Sequence, residues 1–191
     1  MLNLGNERSL VELGTFPEIA YARDLQAPLE WDMGWTLPKS LAVEGPSRRK
    51  GALFSAEALG FSGSIAWWDN VEGLGRAVVN RMAYRFAGSE FGMQPVAAGK
   101  SEYDLVENRP DFKFRRTPDR PWKLPPPAKC YGFPDQVRAC FQNAGFLSDF
   151  ELQFEELFGQ MYYLGPLCGF RANPATGSTG NLPPIPREGC H

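Results

Sequence analysis

Apolar and polar residues alternate along much of the first two-thirds of the chain. In one stretch every second residue is apolar: Leu29, Trp31, Met33, Trp35 and Leu37. This period of two is typical of a strand with one buried face. Residues 78–86 alternate in the same way apart from Asn80, and residues 52–61 and 101–106 also favour strands. Clusters of Gly, Asn and Pro separate these stretches, and the spacing predicts an antiparallel meander.

The hydrophobic period becomes helical after position 129. Pro134 suits the first turn of a helix that we expect to end near Asn143. Ser148 and Glu151 form an S-x-x-E capping box, which predicts a second helix with Ser148 as its N-cap. The apolar residues of this second helix share one face: Phe150, Phe154, Leu157, Phe158 and Met161. We interpret this face as core, with a partner-binding face as the alternative. Residues 161–164 predict a short buried strand.

These patterns predict an α+β fold with three parts. Residues 1–128 form an antiparallel β-rich subdomain, and its last part, residues 107–128, is a connector rich in Pro and Arg. Residues 129–167 form a short helical segment that ends in a strand. Residues 168–191 are rich in Gly, Pro, Asn, Ser and Thr and hold few large apolar residues. We expect them to be a disordered tail, because so little apolar burial does not offset the entropy of ordering a backbone.

The connector combines aromatic and basic residues, a pattern that can stack and clamp single-stranded nucleic acid. Its aromatic residues are Phe112, Phe114 and Trp122, and its basic residues are Lys113, Arg115, Arg116, Arg120 and Lys123. Glu107, Asp111 and Asp119 dilute the positive charge. We therefore favour a packed connector whose aromatic rings are buried and whose charges are solvated. The three prolines at 125–127 favour an extended polyproline conformation.

Composition bounds the class of protein. A chain of 191 residues fits one domain, and its 43% hydrophobic and 13% aromatic residues suffice for a core. The net charge of −2 gives no general attraction to nucleic acid or to an anionic membrane. The sequence has no run of 18 apolar residues, and its N-terminus lacks a basic-then-apolar signal pattern. We therefore expect a cytoplasmic protein that does not bind membranes.

Residues 94–101, QPVAAGKS, approximate the phosphate-binding pattern G-x-x-x-x-G-K-[ST]. Gln94 stands where that loop needs a glycine whose backbone curls around the phosphates. A P-loop also opens a helix, whereas residues 101–106 alternate as a strand. We therefore predict a hairpin turn here. The alternative, a small enzyme that uses Gly99, Lys100 and Ser101, requires a helix after Lys100.

The remaining chemistry of the sequence is sparse. The only histidine, His191, adjoins Cys190, and a zinc site built from these two residues and Cys168 is conceivable. No two cysteines have the C-x-x-C spacing, so we favour unconstrained tail residues. A Ser-His-Asp triad would have to use the terminal His191. We assign no catalytic, cofactor-binding or metal-binding residue.

Three stretches carry a family resemblance: NLGNERSLVELGTFPEIAYARDLQAPLEWDMGWTLP, RPWKLPPPAKCYGFPDQ and KCYGFPDQVRACFQNAGFLSDFELQFEELFGQMYYLGPL. They resemble the middle segment of bacterial P-loop ATPases of the SMC/ABC-like AAA kind, which are related to the OLD-type ATPases. The resemblance covers residues 1–167 and is most specific over 122–167. After Leu167 the family has Arg, then Glu, Tyr and Pro, whereas this chain has Cys168, Gly169, Phe170 and Arg171. We therefore expect a break in the coding frame after Leu167.

The resemblance implies that this chain is the middle segment of an ATPase head, between the P-loop and the signature loop. ATP and Mg²⁺ are then cofactors of the full-length family, and its heads pair as homo- or heterodimers. No ATP-contacting residue carries over; residues 163–167 only lead toward that site. We therefore predict no ATPase activity for this chain alone. The alternative is a free-standing protein-binding or adaptor module that pairs with an ATPase or another partner. A fragment should leave a large apolar surface uncovered, and a genuine module should not.

Overall fold

Five antiparallel strands, hydrogen-bonded in the order of the sequence, form the framework of the molecule. The structure is a computed structural model, and it describes residues 16–44, 53–69, 75–97, 100–110, 112–127 and 129–158. The strands are β1 (Leu29–Glu44), β2 (Leu53–Asp69), β3 (Gly75–Phe86), β4 (Ser89–Pro95) and β5 (Tyr103–Glu107). The described helices are α1 (Phe16–Ile19), a 3-10 helix (Tyr21–Arg23), α2 (Gln136–Cys140) and α3 (Leu147–Phe158). The fold is therefore mixed α+β, as the sequence predicts.

The strands are longer than the alternating patterns indicated, and one of them was missed. β1 and β2 continue to Glu44 and Asp69, past the ends expected for them. β4 was not predicted, because Gly92 and Gln94 weaken its apolar pattern. Ala87 and Gly88 join β3 to β4 with φ angles of 49° and 72°, the left-handed backbone of a tight hairpin turn.

A bulge explains why Asn80 interrupts the alternation of β3. Ile65 pairs with Val79 and Ser64 pairs with Arg81, so Asn80 has no partner on β2. An extra residue in one strand shifts the alternation of its side chains. Val79, rather than Val78 as the sequence pattern indicated, therefore shares the core face with Met82.

The predicted helix at residues 134–143 is shorter in the structure, where α2 covers only Gln136–Cys140. The expected end was wrong because the connector captures the backbone that would continue the helix. Thr117 donates its backbone N–H to the carbonyl of Cys140 at 2.8 Å, and Gln142 donates to the carbonyl of Arg115 at 2.9 Å. Phe141 is consequently extended and bridges to Arg116.

The predicted capping box at Ser148 is also wrong. Helix α3 begins at Leu147, and the backbone N–H of Ser148 donates to the carbonyl of Gly145 at 3.2 Å. The carboxylate of Glu151 does not turn back to Ser148 but accepts the backbone N–H of Phe133 at 2.9 Å. A tertiary contact thus takes the side chain that the local motif assigns to a cap.

One face of the sheet packs against α3 and the segments around it. Phe150 and Phe154 of α3 lie on the rings of β2 and β3, with Phe154 4.7 Å from Phe61 and Phe150 5.7 Å from Tyr84 between ring centroids. The interpretation of the apolar face of this helix as core is confirmed for Phe150 and Phe154, whereas Phe158 is partly exposed. Residues before and after position 128 share this core. Met161 and the strand expected at 161–164 lie outside the described residues.

None of the helices that the structure describes is long and apolar enough to cross a membrane.

Candidate binding face of the sheet

The sheet face opposite the core carries small and charged side chains, and we call it the polar face. Residues that pair across neighbouring strands point to the same side of a sheet, so the register defines its members. Small residues form its floor: Gly34, Gly60, Ser62, Ala83 and Gly92. Above them lie two open hollows of about 840 Å³ and about 510 Å³. The concavity arises because β2 has only small side chains on this side, namely Ala58, Gly60, Ser62 and Ser64.

Two ion pairs cross this floor. The guanidinium of Arg85 on β3 donates to both carboxylate oxygens of Asp32 on β1, at 2.7 Å to Oδ1. Its path crosses Gly60 on β2, where an added Cβ would lie 2.9 Å from the Arg85 Nε. Glycine at position 60 therefore leaves room for the pair. Arg81 and Glu90 form the second pair, between β3 and β4.

The Asp32–Arg85 pair is built to stay charged. The hydrogen bond from Arg85 lowers the pKa of Asp32 below its ordinary value, and the same bond raises the pKa of Arg85. A general acid or base works best when its pKa lies near the operating pH. Each member of the pair shifts the pKa of the other further from neutral pH. The pair therefore suits hydrogen bonding and charge recognition rather than proton transfer.

Ser64 is the unusual polar group of this face. Its side chain is 6% exposed, and its Oγ has no hydrogen-bond partner among the residues that the structure describes. It lines the smaller hollow together with Glu30, Asp32 and Arg81. A buried polar atom without a partner costs about 1–3 kcal/mol.

The P-loop-like segment lies in the β4–β5 connection. Pro95 pairs with Tyr103, the N–H of Val96 donates to the carbonyl of Glu102 at 2.9 Å, and that of Lys100 donates to the carbonyl of Ala97 at 3.1 Å. The predicted hairpin turn is confirmed, although Gly99 itself lies outside the described residues. The helix that a small enzyme would need after Lys100 is replaced by β5, so that alternative is wrong.

The aromatic residues of the connector divide into two groups. Phe112 is buried and Phe114 is half-buried in the core, which confirms the packed interpretation for these two rings. The side chain of Asn143 fixes this part of the connector, because it accepts the N–H of Arg115 at 2.8 Å and donates to the carbonyl of Lys113 at 3.0 Å. The expectation of burial was wrong for Trp122, which is 60% exposed.

The basic residues beside Trp122 already have partners. Lys123 pairs with Glu102, and the guanidinium of Arg116 lies 3.7 Å from the carboxylate of Asp104. Arg120 lies 5.8 Å from the centroid of the Trp122 ring. One exposed ring with partly neutralised cations gives a poor stacking platform for nucleic acid.

No group of three or more Cys, His, Asp or Glu residues within the described ranges is arranged to hold a metal ion. Cys168, Cys190 and His191, the conceivable zinc ligands, lie outside those ranges, and so do residues 163–167.

No protein-family model, curated protein or solved structure matches this chain. The resemblance to P-loop ATPases therefore stays a prediction from the sequence.

Proposed function

We propose that this chain is a protein-binding module that pairs with an ATPase or another partner and does not itself hydrolyse ATP. The observation that carries the proposal is the distribution of exposed apolar side chains. The large apolar residues exposed in the described part are scattered: Leu29 lies on β1, Val96 follows β4, Trp122 lies in the connector, and Leu152 and Phe158 lie on α3. A fragment of a larger domain would instead expose one contiguous apolar face. The face that this sheet leaves open is polar.

The chemistry of the polar face supports binding rather than catalysis. Arg85 and Asp32 neutralise each other there, as do Arg81 and Glu90, and the pKa shifts of Asp32 and Arg85 keep both charged. The hydroxyl of Ser64 is not hydrogen-bonded to any base among the described residues, as an activated nucleophile would be.

A second candidate is the middle segment of an ATPase head. The observation that favours it is the order of elements, since an antiparallel sheet followed by a helical segment is the order that the resemblance implies. In that case ATP and Mg²⁺ would bind to parts of the head other than the described residues. Two such heads, identical or different, would then pair around the nucleotide.

Phosphate release by the purified chain with Mg²⁺ and ATP tests the absence of hydrolysis. We expect no turnover, and no difference between the parent and Lys100→Ala, because Lys100 lies in an exposed hairpin connection. ATP turnover that Lys100→Ala abolishes would refute the proposed function.

A hydrophobic fluorescent dye separates the module from the head fragment. A module should bind little dye and stay monodisperse in sedimentation, whereas a fragment should bind dye and associate. Phe154→Ala serves as the positive control, because removing a buried core ring should increase dye binding. Strong dye binding by the parent chain would favour the fragment.

A further inference from the structure

Strand β1 is an edge of the sheet with a regular outer half. It pairs with β2 on one side, and its register is unbroken from Leu29↔Ile65 to Thr36↔Ala58. Beyond Thr36 the register shifts, and Pro38, which has no backbone N–H to donate, lies in this irregular part of the strand. Among the described residues, no backbone group outside β2 hydrogen-bonds to residues 29–36, which we call the edge segment. Alternate residues of an antiparallel edge strand direct N–H and C=O groups outward, where another strand can pair with them.

The apolar side of the edge segment is incompletely covered. Leu29 is 41% exposed, and Trp31, Met33 and Trp35 are half-buried, whereas Phe61 on the neighbouring strand is fully buried. Side chains directly opposite each other on paired strands lie within contact distance. Apolar residues of an added strand would therefore pack against these four and complete their burial.

The polar side of the edge segment is acidic. It presents Glu30 and Asp32, and the segment contains no basic residue. Asp32 is neutralised by Arg85, but Glu30 has no ion-pair partner within the described ranges. A strand added to β1 would lie about 5 Å away, which puts the exposed carboxylate of Glu30 within reach of its lysine or arginine side chains.

A second copy of the chain is a poor occupant of this edge. Every charged side chain that self-pairing would bring to the polar side is acidic, and like charges on paired strands repel. Charged edge residues also protect natural sheets against such self-association. A partner strand with basic residues would instead be attracted to the acidic side of the edge segment.

We propose that the edge segment accepts an extended peptide of a partner protein, with alternating apolar and basic residues, as a sixth strand of the sheet. The apolar residues of the peptide pack on Trp31, Met33 and Trp35, and its lysine or arginine residues face Glu30. This inference rests on the proposed function and specifies the chemistry of the partner.

Fluorescence anisotropy of labelled eight-residue peptides with the full chain tests the charge requirement. One peptide alternates valine and lysine, and its control alternates valine and glutamate. We expect the lysine peptide to bind at least about tenfold more tightly, because it replaces repulsion by attraction at Glu30. Equal binding of the two peptides, or binding of neither, overturns the inference.

Backbone methylation distinguishes strand addition from plain charge attraction. Two versions of the lysine peptide carry N-methyl groups on alternate amides, one version on the odd and one on the even positions. Only one set of amides faces β1 in a paired strand, so one version should lose binding and the other should keep it. If both versions bind like the parent peptide, the contact is not a sixth strand.

Charge reversal at Glu30 provides the variant test. Glu30 is exposed, so Glu30→Lys should fold normally while losing about tenfold in affinity for the lysine peptide and gaining for the glutamate peptide. Glu156→Lys, an exposed position on α3, makes the same change in net charge away from the edge. Equal effects of the two variants on peptide affinity would overturn the inference. It would also be overturned if the parent chain formed a dimer that Glu30→Lys alters, because a second copy would then occupy the edge. Failure of the peptides leaves the proposed function standing, because ATP turnover and dye binding test that separately.

Discussion

Replacement of Phe154 by alanine measures how much α3 contributes to the stability of the sheet. Phe154 is 3% exposed, and its ring centroid lies 4.7 Å from that of Phe61, 4.7 Å from that of Tyr131 and 5.8 Å from that of Trp35. The ring thus joins β1, β2 and the segment before α2. Truncating a buried phenylalanine to alanine costs about 3–5 kcal/mol of unfolding free energy.

The upper part of that range is expected here. Each aromatic pair adds about 0.5–1.5 kcal/mol beyond the burial of area, although such contributions are not additive. A loss of about 4–5 kcal/mol is a large fraction of the roughly 5–15 kcal/mol that stabilises a typical domain. The variant should therefore unfold at a clearly lower temperature and denaturant concentration than the parent chain.

Urea unfolding followed by tryptophan fluorescence and circular dichroism is the assay. With an m value of about 2 kcal/mol per M, the transition midpoint should fall by about 2 M. Leu152→Ala is the matched control, because Leu152 lies on the same helix but is 60% exposed. Its cost should stay within about 0.5 kcal/mol. Equal midpoints for the two variants would refute the packing of α3 described above.

Two further predictions concern single contacts. Gly92→Ala should clearly lower the melting temperature, because the new Cβ would lie 2.3 Å from the carbonyl oxygen of Met82. Gly145→Ala is the control and should not lower it, because no atom lies within 4 Å of the new Cβ. Equal melting temperatures for the two variants would contradict the close approach of β3 and β4. The second concerns pH. Burial raises the pKa of Glu151 above its ordinary value of 4.5, so its contribution to stability is present at lower pH and is lost as pH rises through the folded pKa. The hydrogen bond from Lys129 lowers the pKa of Glu155, whose contribution is instead present above 4.5 and lost as pH falls through its folded pKa. Unfolding free energies should be measured from pH 3 to 8. Glu151→Gln should remove a decline of the unfolding free energy with rising pH, and Glu155→Gln should remove an increase. The same change in the pH dependence for both variants would contradict these environments.

The sequence predicted the elements that local pattern determines. The alternation from Leu29 to Leu37 identified β1, and the period of Phe150 and Phe154 identified α3 and its buried face. It failed where a distant residue decides the local structure. The bond from Phe133 to Glu151 displaced the capping box, and the pairing of Phe141 with Arg116 ended α2 early.

The polar face shows the same limit more sharply. The pattern of β3 places Arg81 and Arg85 on the polar side, but nothing in it names their partners. Arg85 meets Asp32 across 53 positions of sequence, and only the order of the strands brings them together. Ser64 lies beside the bulge, and the interruption of the alternation at Asn80 is the local sign of that bulge in the sequence.

The shared core also constrains how the ribosome delivers this protein. The core face of the sheet carries Phe61 and Tyr84, and the segments that cover it are synthesised later. Tyr84 donates its hydroxyl to the carbonyl of Tyr131, 47 residues further on, and Phe154 follows later still. At about 5–20 residues per second, the nascent chain presents an uncovered aromatic sheet for about 2–9 seconds before even that bond can form. We therefore expect that, during translation, chaperones or the ribosome itself shield the strands that α3 later covers.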